Sequence, residues 1–148
     1  MAQLPNGMFA VIRQHVVDVH IYRRYLEPVA YMMVIFGMSA IPGTEFPKVD
    51  VLNFDKLVHV CIYLPLGFLL ARVCCQMKGG LPAALFYGAL YAASDELHQS
   101  FVPFRSSDMA DWVADCAGLM VGIWIWSRVA RLYQMKTVGC RVSQKFVG

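Results

Sequence analysis

"SDELHQSFVPFRSSD", residues Ser94 to Asp108, follows directly on Leu81 to Ala93, a stretch without a single charge. A helix from Leu81 to Gln99 rises about 1.5 Å per residue and reaches close to 30 Å, the thickness of a bilayer's hydrocarbon core. The apolar run then reads as a helix crossing a membrane. Asp95, Glu96, His98 and Gln99 are the groups it delivers to the far side. Together with the composition and three further apolar segments, this stretch predicts an all-α, polytopic membrane protein.

Composition agrees with that reading. Of 148 residues, 58% are hydrophobic and 16% charged, against soluble averages of about 45–50% and about 25%. Three further segments have the length and character of spans. Leu26 to Ile41 is the shortest, bounded by Glu27-Pro28 and Pro42-Gly43. Leu57 to Ala71 lies between Asp55-Lys56 and Arg72, and its Pro65 is tolerable where neighbouring helices satisfy the freed carbonyl. Trp112 to Ser127 carries Trp112, Trp124 and Trp126 near its ends, as interfacial anchors would. The expectation is a four-transmembrane-helix bundle over residues 26–127, with a cytoplasmic N-terminal segment at 1–25 and a basic cytoplasmic tail at 128–148.

Within residues 1–25, Ile12, Val16 and Val19 recur at helical spacing beside Arg13, Arg23 and Arg24. An amphipathic helix on the membrane face and a soluble arm suit this pattern equally. No basic start, apolar core and small-residue cleavage site occur in series, so no secretory signal is expected. Orientation follows from Lys and Arg, which are retained in cytoplasmic loops. Arg72, Lys78, Arg128 and Arg131 fall with both termini on one side, against Lys48, Lys56 and Arg105 on the other. Both termini are therefore expected in the cytoplasm, with the acids gathered at the outer face.

Helical spacing sorts those acids into stripes. Asp55, His59, Tyr63 and Gly67 follow at steps of four, and so do Tyr91, Asp95 and Gln99, with His98 beside them. Asp108, Asp111, Asp115, Gly118 and Gly122 form the third stripe, and "GLMVG" permits close helix approach. A carboxylate at the bilayer centre costs about 2.5–3.5 kcal/mol on insertion scales, so such groups turn toward one another. The stripes predict an outward-facing polar cup lined by Asp55, His59, Tyr63, Asp95, Glu96, His98, Gln99, Asp111 and Asp115. Arg105 enters it from the loop, and Lys56 completes it or snorkels outward.

Several readings of the cup stay open. Buried polar groups hold helices in register, and Asp108 has the position of a helix N-cap. A divalent metal is conceivable on His59, His98 and nearby carboxylates, although "DELHQ" is no standard ligand spacing. A hydrolase could use an Asp-supported histidine as base with Arg105 on a phosphate or carboxylate. No nucleophile motif and no Gly-rich phosphate loop accompanies it, and the sequence names no cofactor. The cysteines, an odd five, suggest no disulfide framework. The net charge of +3 reflects topology, not nucleic-acid binding.

With those residues in view, the chain resembles the VanZ-like family of small bacterial membrane proteins. The resemblance rests on "DKLVHVCIYLPLGFLL" from Asp55, "SDELHQSFVPFRSSD" from Ser94 and "DWVADCAGLMVG" from Asp111, in that order. The family's acid, histidine and tyrosine fall on Asp55, His59 and Tyr63. Its acidic pair, histidine and glutamine fall on Asp95, Glu96, His98 and Gln99, and its later positions on Arg105, Asp111, Asp115 and Gly118. Where many relatives have Pro-Gly-Arg, this chain has Pro103-Phe104-Arg105, and phenylalanine resists positive φ.

The resemblance implies a bacterial inner-membrane location and, from the resistance for which the family is named, a role toward the glycopeptide antibiotic teicoplanin. It supplies no mechanism. The expectation is a site that binds a cell-envelope component, lipid-linked or anionic, from within the lipid bilayer. A membrane hydrolase and a structural subunit are the alternatives.

Overall fold

The computed structural model describes residues 24–45, 54–77, 79–105 and 107–145. Every regular element among them is helical: α1 (24–39), α2 (Phe54–Cys74), α3 (Gly80–Gln99) and α4 (Met109–Lys145), with a 3-10 turn at Gly43–Glu45. The all-α expectation holds for these residues. The expected N-terminal segment lies, up to residue 23, outside them.

Helix ends follow local chemistry. Past α1 the chain tightens, with Ile41 N bonding Met38 O, and Pro42 then prevents continuation. Between α2 and α3, Gly80 takes a left-handed φ of 56°, and Pro82 sits in the first turn, where its missing N–H costs nothing. Asp108 Oδ1 accepts from Ala110 N at 3.1 Å and caps α4. Phe104 adopts φ 60°, so this chain keeps the glycine-like turn without the glycine. The last helix does not stop at Ser127 but runs to Lys145, because no proline interrupts "RVARLYQMKTVGCRVSQK".

Glycines set how closely the helices approach. A Cβ on Gly118 would meet Val60 O at 2.5 Å, and one on Gly67 would meet Leu119 Cα at 2.7 Å. Backbone therefore packs on backbone between α2 and α4, as "GLMVG" predicts. On α3, Ala84, Gly88 and Ala92 form a small-residue stripe against the same core, where Tyr63, Leu66, Leu70, Ala71 and Leu119 are buried. Helix α1 joins through hydroxyls: Tyr31 donates to Ile62 O at 2.9 Å, and Tyr91 to Met32 O at 2.6 Å. At the far end Arg72 pairs with Glu27.

The exterior is apolar and part of the interior is acidic. Leu26, Met33, Phe86, Leu90, Leu97 and Met120 are exposed, whereas Asp95, Glu96, Gln99, Asp111 and Asp115 are buried. That inverts the order of a water-soluble domain. Phe54–Cys74 and Met109–Tyr133 are long and apolar enough to cross a membrane. Helix α3 has comparable length, but Asp95, Glu96, His98 and Gln99 in its last turns lower its mean hydropathy. Trp112 donates its indole N–H to Ala89 O at 3.1 Å and so ties α4 to α3.

Candidate functional site

Helices α1 and α3 end where α2 and α4 begin, and the polar stripes meet at that end. Asp55 and Asp111 sit in the first turns of α2 and α4, where the helix dipole favours a carboxylate. Lys56 lies between them: its Nζ is 2.7 Å from Asp111 Oδ1, 3.1 Å from Asp55 Oδ2 and 3.8 Å from Asp108 Oδ2. Asp55 stays exposed at the rim, whereas Asp111 is buried. The lysine thus completes the cup from its edge.

One turn deeper, His59 Nδ1 stands 2.8 Å from Asp115 Oδ1 and 4.0 Å from Glu96 Oε1. Its carboxylate partner comes from α4 and not from Asp55, which shares its helix but bonds Lys56. Ser107 Oγ donates to Glu96 Oε2 at 3.2 Å. Deeper still, Asp95 Oδ2 accepts from Ser39 Oγ at 2.9 Å, Tyr63 OH at 3.1 Å and Gln99 Nε2 at 3.1 Å. All four helices therefore contribute to one polar set, in three layers centred on Lys56, His59 and Asp95.

His98 stands apart from that set: its ring stacks on Phe36 of α1, centroids 4.2 Å apart. At three residues from Asp95 it turns toward α1, while Gln99, at four, keeps the Asp95 face. Arg105 donates from Nη1 to Gln99 Oε1 at 3.0 Å, from Nε to Ile41 O and from Nη2 to Met38 O, both at 3.3 Å. Met38 lies in the last turn of α1 and Ile41 just beyond it, so the loop arginine fastens the C-terminal end of α1.

Sequence reasoning missed Ser39 and Ser107. Ser39 is a single hydroxyl in an apolar run, and serines in such helices commonly bond their own backbone, as Ser94 and Ser127 do here. Only the approach of α1 to Asp95 gives Ser39 its role. The grouping of ionisable residues also differs from the metal set weighed first: His59, Glu96 and Asp115 bring ligand atoms within 4.8 Å of one another, and His98 is not among them.

The family model for VanZ/LLP1 matches residues 8–131, and the chain belongs to that family. The match takes in all four helices to within the exposed part of α4 and every polar residue of the cup. No curated protein and no solved structure matches the chain. Family membership and the two apolar helices together point to a membrane protein.

Proposed function

We propose that the chain is a four-span protein of the bacterial inner membrane, with both termini in the cytoplasm, whose polar cup opens outward and binds the polar part of a cell-envelope component. The observation that carries this is that inversion: acids, an amide and a serine buried together, with the half-buried His59 among them, at one end of a bundle whose outside is apolar. Exposed Leu26, Val29 and Met33 on α1, and Phe86, Leu90 and Leu97 on α3, support spanning by those two helices as well. Lys and Arg counts support the orientation.

Charge shapes the ligand. Asp55, Asp95, Glu96, Asp108, Asp111 and Asp115 outnumber Lys56 and Arg105, and both cations already lie on protein oxygens. A lipid-linked ligand offering hydroxyl or ammonium groups suits such a cup, and an anionic one enters only with a cation beside it. Resistance to teicoplanin is the phenotype to measure in cells, as the family name suggests.

Native mass spectrometry of gently purified protein, wild type beside Asp111→Asn and His59→Ala, tests the binding reading. An envelope lipid retained by the wild type and lost from folded variants supports it; identical spectra at unchanged thermal stability refute it. One contact favours a rival: His59 with Asp115 is a base with an orienting carboxylate, the pairing of a hydrolase that activates water. Turnover of a lipid-linked substrate, abolished in His59→Ala, would select that rival.

A further inference from the structure

We propose that His59 of α2, Glu96 of α3 and Asp115 of α4 form a binding site for one divalent transition-metal ion of the zinc or manganese type. Each comes from a different helix, and their ligand atoms lie within 4.8 Å of one another. A histidine–carboxylate hydrogen bond by itself explains the 2.8 Å contact between His59 Nδ1 and Asp115 Oδ1. It does not explain Glu96 Oε1 and Asp115 Oδ2, buried carboxylate oxygens without a hydrogen-bond partner among the described residues. Their residues are only 6% and 0% exposed, and polar atoms so deeply buried are normally satisfied.

A cation ligated by Glu96 Oε1 and by both oxygens of the Asp115 carboxylate supplies what Glu96 Oε1 and Asp115 Oδ2 lack. Glu96 is held for the purpose, because Ser107 bonds its Oε2 and its Oε1 is left 4.0 Å from His59 Nδ1. In a tetrahedral zinc site with bonds of about 2.0–2.1 Å, ligand atoms stand roughly 3.4 Å apart. The 2.8 Å pair must open and the 4.0 Å pair close by about 0.6 Å each, a change that side-chain torsions absorb. One imidazole and two carboxylates suit zinc or manganese, not a soft ion. Two carboxylates facing a divalent ion also cancel in formal charge, which reduces the cost of burying them.

Three protein ligands leave a coordination position open, and a phosphate or carboxylate oxygen from an anionic headgroup could occupy it. The metal site does not depend on that ligand and goes beyond the binding reading above. The two are tested by different readouts, metal content here and retained lipid there.

The experiment uses the full-length, untagged protein in mild detergent, with His15→Gln and His20→Gln as background so that no other N-terminal imidazole competes. Cobalt(II) is titrated and followed by its visible absorption, and zinc content is measured after dialysis. The expected result is one equivalent bound, with affinity lowered by at least about tenfold in His59→Gln and in Glu96→Gln, and unchanged in Asp108→Asn. Helical circular dichroism checks the fold of each variant. A wild-type chain that takes up no stoichiometric metal overturns the site whatever the variants do. So does a His59→Gln protein that binds as well as the wild type, or an Asp108→Asn protein that loses as much as the other two.

Discussion

Gly122→Ala adds one methyl group at the tightest seam of the bundle. Its Cβ would lie 2.7 Å from Phe68 N and 3.1 Å from Gly67 C, on top of the Leu64 carbonyl. None of these backbone atoms can rotate away, so α2 and α4 must part by about 1 Å to restore ordinary contact in an interior packed like a crystal. Overpacking of this kind costs about 1–3 kcal/mol, and backbone against backbone belongs at the upper end. Alanine's better helix propensity returns about 1 kcal/mol, which leaves a net loss near 2 kcal/mol. Two other glycines calibrate the result. At Gly37 a new Cβ would meet nothing within 4 Å beyond its own stretch of helix among the described residues, so Gly37→Ala keeps only the propensity gain. Gly88 would meet Leu119 Cδ2 at 2.7 Å, the movable end of a side chain, and falls between the two. Equilibrium unfolding in dodecyl sulfate titrations, followed by tryptophan fluorescence, ranks the three. A Gly122→Ala protein as stable as Gly37→Ala would refute the backbone seam.

Asp95→Ala removes the acceptor of three donors and should cost about 2 kcal/mol, taking about 0.6 kcal/mol per bond as measured in membrane bundles. Asp95→Asn keeps a carbonyl there and should stay within about 1 kcal/mol of the wild type by the same titration; equal losses in both would remove Asp95 from the centre of the network. A double-mutant cycle on Lys56→Ala and Asp111→Ala should give a favourable coupling, because the two side chains form a close ion pair and each single change leaves the other without it. Additive losses would mean that the pair contributes nothing. In whole cells an impermeant maleimide should label a cysteine placed at the exposed Ser100 but reach the exposed native Cys75 only after permeabilisation; the reverse pattern inverts the topology. Phe104→Gly should leave stability unchanged or raise it by up to about 1 kcal/mol, since a left-handed residue costs about 1–2 kcal/mol and the ring is 81% exposed. A marked drop in thermal stability would show that the ring itself packs on something.

What the sequence makes legible here is what period and charge encode. The stripe Asp55, His59 and Tyr63 and the stripe Asp111, Asp115 and Gly118 could be read because helical spacing alone puts each on one face. Close approach of α2 and α4 was legible in "GLMVG" because small residues at that spacing have few other uses in an apolar helix. Pairing between helices was not legible, since it depends on rotation and depth. Thus His59 meets Asp115 of α4 and not its neighbour Asp55, and Gln99 enters the cup while His98 stacks on Phe36. The run of α4 beyond the span was not legible for another reason: charge marks where a helix leaves an apolar environment, not where it ceases to be helical. Arg128 and Arg131 follow Ser127 without a break in the helix, and Arg131 Nε bonds Ser127 O one turn back.

Arg105 has the look of a ligand clamp in sequence, a lone outer arginine after a proline. It hydrogen-bonds Gln99 Oε1 and two carbonyls at the end of α1. The same loop touches α1 again where Gly43 N bonds Pro103 O, with no room for a side chain at Gly43 against the Phe104 carbonyl. Helix α1 carries none of the three motif stretches, yet it brings Ser39 to Asp95. The loop therefore fastens the one helix that lacks a polar stripe to the cup it helps to close. It follows that loss of function in Arg105→Ala cannot by itself be assigned to lost ligand contact. If Ser39→Ala reproduces part of the loss, the arginine acts through the position of α1; if Ser39→Ala is silent while Arg105→Lys, which keeps charge but not the guanidinium fork, restores activity, the arginine acts by charge.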